Sequence, residues 1–226
     1  MLFFAAQIAV NHKENTDGSM LPLSQQTREF LITYLNERVK HLHHSISLHE
    51  NDGTAALATF IERYMALAPD FVTAFNDFLN SANISGEIAR QVITARDFIE
   101  VPVGIVSSQE GLEAQIYKAY LAHRLLEELN DTLKAIYDCP IIPVDMTRSN
   151  LIVHHIIGEP FANQLDAAIQ SLSDRLVRAI ETDSVLQSEL RVYCSSVNKQ
   201  GMPNYPCLAE ACHIYLVFNT EKSASD

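Results

Sequence analysis

Histidine and glutamate side chains spaced one helical turn apart are the residues of this sequence that could carry chemistry. His123 precedes Glu127 by four residues, and Glu210 precedes His213 by three. Side chains at these spacings share one face of a helix. Inward-facing imidazole and carboxylate groups are the ligands from which metal sites in helical bundles are built. The spacing therefore indicates two parts of a candidate metal centre.

His155 is a third candidate ligand. It lies on the same predicted helical face as Ile152 and Ile156, so we expect it to face the core. Glu159 follows at the four-residue spacing, but it shares that face only if the helix continues past Gly158.

These pairs together predict a centre for iron, manganese or zinc. The predicted ligands are His123, Glu127, His155, Glu210 and His213. Tyr120 is expected to shape the pocket around them. A metal there would act as a Lewis acid or activate water or dioxygen, as in an oxidase, an oxygenase or a hydrolase. The E-x-x-H spacing occurs twice in di-iron carboxylate bundles and once here, and each histidine also has a simpler interpretation as a satisfied core residue.

The segment VKHLHHSISLHE, residues 39–50, is the most histidine-rich part of the chain. Its histidines are His41, His43, His44 and His49. On a helix whose apolar face is centred on Leu42, Glu37, His41 and His44 fall on the opposite side. We therefore expect a solvated face here, with a metal site only if a partner helix or a second subunit covers it.

The cysteines near the C-terminus offer a different candidate. Cys194, Cys207 and Cys212 with His213 supply the Cys₃His set that structural zinc sites use. The spacings are irregular and no C-x-x-C occurs, so separate reduced cysteines in the core are the favoured interpretation, and Cys139 is expected to be one more. Reduced thiols predict a cytoplasmic protein.

The charge balance restricts the classes of partner. The chain has 226 residues with 16 Lys and Arg against 28 Asp and Glu, a formal net charge of −12. Such a chain repels phosphate backbones and anionic lipid, so neither nucleic acid nor a membrane is an expected partner. Phosphate-binding glycine loops, H-E-x-x-H and G-x-S-x-G are also absent from the sequence.

Apolar residues recurring with a helical period predict helices along most of the chain. The predicted helices cover 24–49, 54–68, a stretch beginning at Pro69, 85–98, 108–138, 147–157, 160–182 and 184–197. Ser24 is a predicted N-cap, and the pairs Ser107/Glu110 and Ser184/Gln187 are predicted capping boxes. Residues 207–218 could be helix or strand.

The pattern predicts an all-α fold, a single-domain antiparallel helical bundle spanning residues 1–226. Its expected frame is 24–49, 108–138 and 160–182, with shorter helices crossing it and two short extended connectors at 101–106 and 140–145. Residues 1–20 are expected to form a short helix and a connector, and 219–226 a frayed tail.

Two functional hypotheses have support from named residues, and a third, binding of an apolar ligand inside the bundle, is open without a residue-level signal. The first is a non-catalytic helical module that binds a protein partner or assembles with itself. Its basis is the aromatic face of Phe71, Phe75, Phe78 and Leu79, together with the apolar segment 1–10, either of which would form a docking patch if exposed. The second is the metal-dependent bundle enzyme described above.

Overall fold

The computed structural model describes residues 23–48, 53–81, 111–140, 142, 144–198 and 207–217. The helices are α1 (Gln25–Val39), α2 (Gly53–Ser81), α3 (Gly111–Tyr137), α4 (Thr147–Ile157), α5 (Phe161–Thr182), α6 (Ser184–Asn198) and α7 (Leu208–Ala211). Two strands of two residues each, β1 (Ile46–Ser47) and β2 (Tyr215–Leu216), form a small antiparallel sheet. The predicted all-α fold is confirmed.

Helix α3 is the helix around which the others pack. It contacts α2, α4, α5 and α6. Its buried side chains lie on several sides and form a nearly continuous run from Tyr117 to Asn130, as expected of a helix that is covered on more than one face. Helix α3 corresponds to the predicted helix 108–138, but the capping box predicted at its start lies outside the described residues.

Helix α2 is one continuous helix where the sequence predicted two, so the predicted break at Pro69 is wrong. A proline inside a helix removes one backbone hydrogen bond and costs about 3 kcal/mol. Phe71 and Phe78, on the far side of the proline, are only 2% and 3% exposed. Burying two such side chains contributes about 1.5–3 kcal/mol each, which offsets the cost of the proline.

Helix α1 is shorter than the predicted helix 24–49. Ser24 caps it as expected, because its Oγ accepts a hydrogen bond from the backbone N–H of Thr27 at 3.2 Å. The helix ends at Val39, and the chain then turns into β1. Buried Ile46 pairs with β2 instead of continuing α1 for about three more turns. The predicted C-terminal end of this helix is therefore wrong.

The segment 207–218, whose structure the sequence left open, contains both helix and strand within its described residues. A single turn, α7, is followed by a left-handed turn at His213, where φ is 58°. The chain then forms β2, and the N–H of Val217 donates to the carbonyl of Ser45 at 2.7 Å. This segment holds β1 in place.

Helix α6 is capped by a different residue from the one predicted. Oδ1 of Asp183 accepts hydrogen bonds from the backbone N–H groups of Val185 and Leu186, both at 3.0 Å. The carboxylate takes the N-cap position, so Ser184 is the first helical residue and the predicted Ser184/Gln187 box is wrong.

Asn130 of α3 fixes the connector between α3 and α4. Its Nδ2 donates to the carbonyl of Ile142 at 2.8 Å, and its Oδ1 accepts from the N–H of the same residue at 3.1 Å. This pair satisfies the backbone of a buried, non-helical residue. The other predicted connector, 101–106, lies outside the described residues, as do helix 85–98, residues 1–20 and the tail 219–226. Within the described part of the chain, every helix is too short or too polar to cross a bilayer.

Candidate functional site

His123 lies in the core of the bundle, as the sequence predicted. It is only 1% exposed, and its Nε2–H donates to the backbone carbonyl of Tyr64 on α2 at 2.9 Å. Its ring stacks on the Tyr64 ring with centroids 3.7 Å apart, and the ring of Phe71 meets it edge-on at 4.6 Å. The imidazole therefore joins α3 to α2 through both packing and a hydrogen bond.

Glu127 is also buried, at 6% exposure, and its carboxylate is held by neighbouring side chains. Its Oε2 accepts a hydrogen bond from Nδ2 of Asn150 on α4 at 2.6 Å, and it accepts another from the guanidinium of Arg124. The Tyr64 hydroxyl in turn donates to Oδ1 of Asn150 at 2.6 Å. The result is a buried polar network shared by α2, α3 and α4.

Arg124 is the cation at the centre of this network. Besides Glu127 it pairs with Glu128 at 2.6 Å and with Asp166 of α5 at 3.2 Å. Burial lowers the pKa of the guanidinium, but the charge and hydrogen bond of Glu127 outweigh burial, so the pKa of Arg124 lies above its ordinary value. The permanent positive charge of Arg124 thus compensates part of the negative charge of three carboxylates. Charged groups in the interior of a fold need such a partner.

Asp166 extends the polar network toward the surface. Its Oδ1 accepts from the Tyr120 hydroxyl at 2.7 Å, and its Oδ2 lies 3.3 Å from Nε2 of His154. Burial, and then the hydrogen bond to Asp166, raise the pKa of Tyr120, so this phenol remains a donor at physiological pH. Asn163 also faces His154, with its Oδ1 3.1 Å from Nε2.

Four histidines meet where this network reaches the surface, and we call them the histidine cluster: His43, His44, His154 and His155. The ring centroids of His43 and His44 are 4.0 Å apart, those of His43 and His155 are 5.5 Å apart, and those of His154 and His155 are 5.9 Å apart. His43 and His44 lie in the turn after α1, and the other two lie in the last turns of α4.

The described part of segment 39–50, residues 39–48, shows His41, His43 and His44 exposed as expected, but the helix on which that expectation was based is wrong. Because α1 ends at Val39, His41 and His44 are not on a helix, and the angular argument does not apply to them. Arg38, on the last turn of α1, donates from Nε to the carbonyl of Ile156 at 2.8 Å. This bond ties the end of α1 to the end of α4 and brings the turn against His155.

His155, one of the predicted ligands, is half-buried among other histidines. Burial is the largest cause of its lowered pKa, followed by the neighbouring charges of His154 and His43, while Glu159 acts in the opposite direction. The imidazole is therefore neutral at physiological pH.

Glu210 and His213 lie at the surface of the C-terminal segment. Glu210 is exposed and pairs with Arg148. Helix α7 ends before His213, which is exposed with its Nδ1 3.5 Å from the Tyr215 hydroxyl. The two residues therefore do not share a helical face as their spacing suggested.

The five predicted ligands thus have three separate surroundings: the core around α3, the histidine cluster and the C-terminal surface. Within the ranges that the structure describes, no three or more His, Cys, Asp or Glu side chains are arranged to hold a metal ion. The cysteines are free and buried, and burial raises the pKa of the Cys207 and Cys212 thiols, in keeping with their predicted packing role.

Sequence reasoning missed Arg124, Asn150, Asp166 and His154. Arg124 had a visible signal, because Glu127 and Glu128 follow it at three and four residues, the spacings of helical ion pairs. Asn150 and Asp166 had none, since their partners lie on other helices.

Comparison of the chain with known protein families, with curated proteins and with solved structures finds no match in any of the three.

Proposed function

We propose that this protein is a non-catalytic helical module that binds a protein partner or a second copy of itself, with helix α6 as its contact surface. The observation that carries the proposal is a pair of exposed valines on α6. Val185 and Val192 are 70% and 67% exposed, and they lie seven residues, or two turns, apart on one side of the helix. We call them the valine pair.

Within the described part of the chain, the side chains of the valine pair lie mostly in solvent and not in the core. Helix α6 is attached to the bundle through its other face, where Leu186, Leu190 and Cys194 are buried. Valine is a weaker helix former than alanine or the straight-chain polar residues, because its branched Cβ loses rotamer freedom. An apolar, helix-disfavouring residue at two aligned solvent positions is therefore best explained by a contact that covers them.

The aromatic face that first suggested docking does not support this role. Phe71 and Phe78 are buried in the core, and the side chains of Phe75 and Leu79 lie outside the described residues, as does the apolar segment 1–10. The support for a docking surface therefore rests on α6.

The buried polar network favours a scaffold over a catalyst. Glu127 of α3 accepts hydrogen bonds from Arg124 of the same helix and from Asn150 of α4, and Asn150 accepts one from Tyr64 of α2, so the network joins three helices. Buried polar side chains that hydrogen-bond to one another fix the relative positions of the helices that carry them and keep their charges inside the fold. Such a network gives a contact surface a rigid support.

Native size measurement tests the proposal, both in a lysate of the expressing cells and on the purified chain. We expect the wild-type chain to elute well above its mass of 25.3 kDa in at least one of the two samples. Val185→Glu combined with Val192→Glu should return it to the monomer position.

The matched control is Gln164→Glu combined with Ser171→Glu, which adds the same charge at two exposed positions, also seven residues apart, on α5. The control should keep the larger size. A wild-type chain that elutes as a monomer in both samples, or a complex that the two double variants affect equally, would contradict the proposal.

A further inference from the structure

Cys139 and Cys194 are two thiols from distant parts of the sequence that meet in the core. Cys139 lies two residues after the end of α3, and Cys194 lies on the buried face of α6. The two side chains are 1% and 3% exposed, and their thiols share a hydrogen bond. Because sulfur is a weak donor and acceptor, such a bond requires the two side chains to lie in contact.

The packing of α6 explains why Cys194 faces the end of α3. The guanidinium of Arg191, one turn before Cys194, lies 5.5 Å from the centre of the Tyr137 ring. The ring of Tyr193 meets Phe78 of α2 edge-on at 5.3 Å. These two contacts hold α6 against both α3 and α2 at the level of the buried thiol.

The chain turns at Asp138, directly after α3. Its φ is 52°, a left-handed conformation typical of a helix C-terminus, and its N–H still donates to the carbonyl of Lys134 at 2.9 Å. Pro140 then prevents the helix from continuing. The turn therefore takes Cys139 out of α3, and its thiol also contacts the carbonyl of Pro140 at 3.7 Å.

The two thiols of the pair are not equivalent. The hydrogen bond with Cys194 lowers the pKa of Cys139, against the opposing effect of burial. The same hydrogen bond raises the pKa of Cys194, and burial acts in the same direction. Because the thiolate is the attacking form in thiol–disulfide exchange, Cys139 is the nucleophile of the pair and Cys194 is the thiol that resolves it.

The other two cysteines provide an internal comparison. Cys207 and Cys212 are also buried, at 7% and 6% exposure, and they lie on either side of the single turn α7. Burial is the largest cause of the raised pKa of each thiol, so neither is favoured as a thiolate. A reagent that oxidised buried thiols without selectivity would attack them as readily as the first pair.

We propose that Cys139 and Cys194 form a reversible disulfide bond by exchange with a small-molecule disulfide such as oxidised glutathione. The Cys139 thiolate attacks one sulfur of the reagent, which forms a mixed disulfide and releases one reagent thiolate. Cys194 then loses its proton and attacks the Cys139 sulfur, which closes the bond and releases the second reagent thiolate. The protein pair loses two electrons and two protons, and the reagent is reduced to two thiols.

Oxidation requires transient access to the pair, and α6 is the helix that can provide it. Its outward face is in solvent, and its main contacts are with α3 and α5. Local opening of such an outer helix needs less free energy than global unfolding. The proposal rests on the two cysteines alone, so it is independent of the contact surface proposed for α6.

Peptide mapping of the oxidised chain tests the proposal. The reduced full chain is incubated with oxidised glutathione in native buffer, the remaining thiols are alkylated in urea, and the chain is digested with trypsin without reduction. Cys139 falls in the tryptic peptide 135–148 and Cys194 in the peptide 192–199. We expect mass spectrometry to find these two peptides linked, and dithiothreitol to separate them.

Cys207 and Cys212 are the matched control, because both fall in the tryptic peptide 200–222. Both of their thiols should be alkylated in the same sample. Absence of the linked peptides, a link that forms only when oxidation is carried out in urea, or equal oxidation of the peptide 200–222 would overturn the proposal.

The melting temperature shows whether the bond forms in the native arrangement. The bond closes a loop of more than fifty residues and restricts the unfolded chain, so the oxidised chain should melt about 5 °C or more above the reduced chain. An unchanged or lower melting temperature overturns the proposal, because it indicates a bond made in a distorted chain.

Two serine variants test the order of attack. Cys194→Ser keeps a hydroxyl donor beside Cys139 but removes the resolving thiol, so a mixed disulfide with glutathione should accumulate at Cys139. Cys139→Ser leaves only the thiol of higher pKa, and Cys194 should form no such adduct under the same conditions. Equal adducts in the two variants would show that the thiols react as independent groups, which overturns the proposal.

Discussion

Nδ2 of Asn150 on α4 donates a 2.6 Å hydrogen bond to Oε2 of Glu127 on α3, and both side chains are buried. The same asparagine accepts from the Tyr64 hydroxyl on α2. A single side chain thus satisfies a buried carboxylate and a buried phenol and connects three helices.

Asn150→Ala is therefore expected to destabilise the fold. It leaves the Tyr64 hydroxyl without its acceptor and removes one donor from Glu127, and each unsatisfied buried group costs about 1–3 kcal/mol. Urea unfolding followed by circular dichroism measures the loss in the free energy of unfolding. Asn36→Ala, at an exposed position of α1, is the control and should change that free energy by less than about 0.5 kcal/mol.

Arg124→Met should lower the free energy of unfolding more than Asn150→Ala does, because it leaves buried Glu127 without its cation. Breaking a buried ion pair from one side costs about 3–5 kcal/mol. The exposed pair of Lys40 with Glu37 provides the comparison, since Lys40→Met removes the same charge at the surface and should cost less than about 1 kcal/mol. Equal losses in the two variants would show that the polar network does not hold the helices together.

Pro69→Ala should stabilise the protein. The substitution restores the N–H that α2 lacks at this position, and proline is about 3 kcal/mol less favourable than alanine inside a helix. Release of the unfolded chain from the proline ring opposes this gain by about 0.4–1 kcal/mol. We expect a net gain of about 2 kcal/mol in the free energy of unfolding, measured by urea titration. A loss of stability would contradict a continuous α2.

His155 makes stability depend on pH. Its pKa in the folded chain lies below the ordinary value of 6.5, so the unfolded chain binds more protons as the pH falls past that value. The fold favours the neutral ring. The contribution of this ring to the free energy of unfolding is therefore present above pH 6.5 and is lost as the pH falls below that value. The charge of His43 also lowers the pKa of this ring, and the charge of Glu159 raises it. The free energy of unfolding, measured in chelator from about pH 8 to about pH 5, should fall less steeply in His155→Gln than in the wild-type chain. Parallel curves for the two chains would contradict the lowered pKa.

Much of the fold followed from apolar periodicity. The apolar period predicted helices α3, α4 and α5 close to their observed bounds, because a helix with an apolar face buries that face in any bundle. It failed at Pro69, where burial of Phe71 and Phe78 overrides a local breaker. It failed again after Val39, where pairing with a strand from the other end of the chain decides the structure.

The site was predicted only in part, for the same reason. His123 was correctly placed in the core, and Glu127, which was predicted at the edge of the buried stripe, is buried as well, because their own helix determines their direction. The positions of Asp166 and Asn150 and the stacking of His43 on His155 depend on how separate segments of the chain pack, and spacing along the sequence does not contain that information.

Site-specific photo-crosslinking most directly tests the central claim that the valine pair of α6 is a contact surface. A benzophenone amino acid replaces Val192 in one chain and exposed Ser171 of α5 in another, and both chains are irradiated in the cells that express them. We expect a discrete crosslinked species from position 192 and none from position 171. Its mass, by mass spectrometry, distinguishes a second copy from another protein. No crosslink from position 192, or the same products from both positions, would contradict the claim.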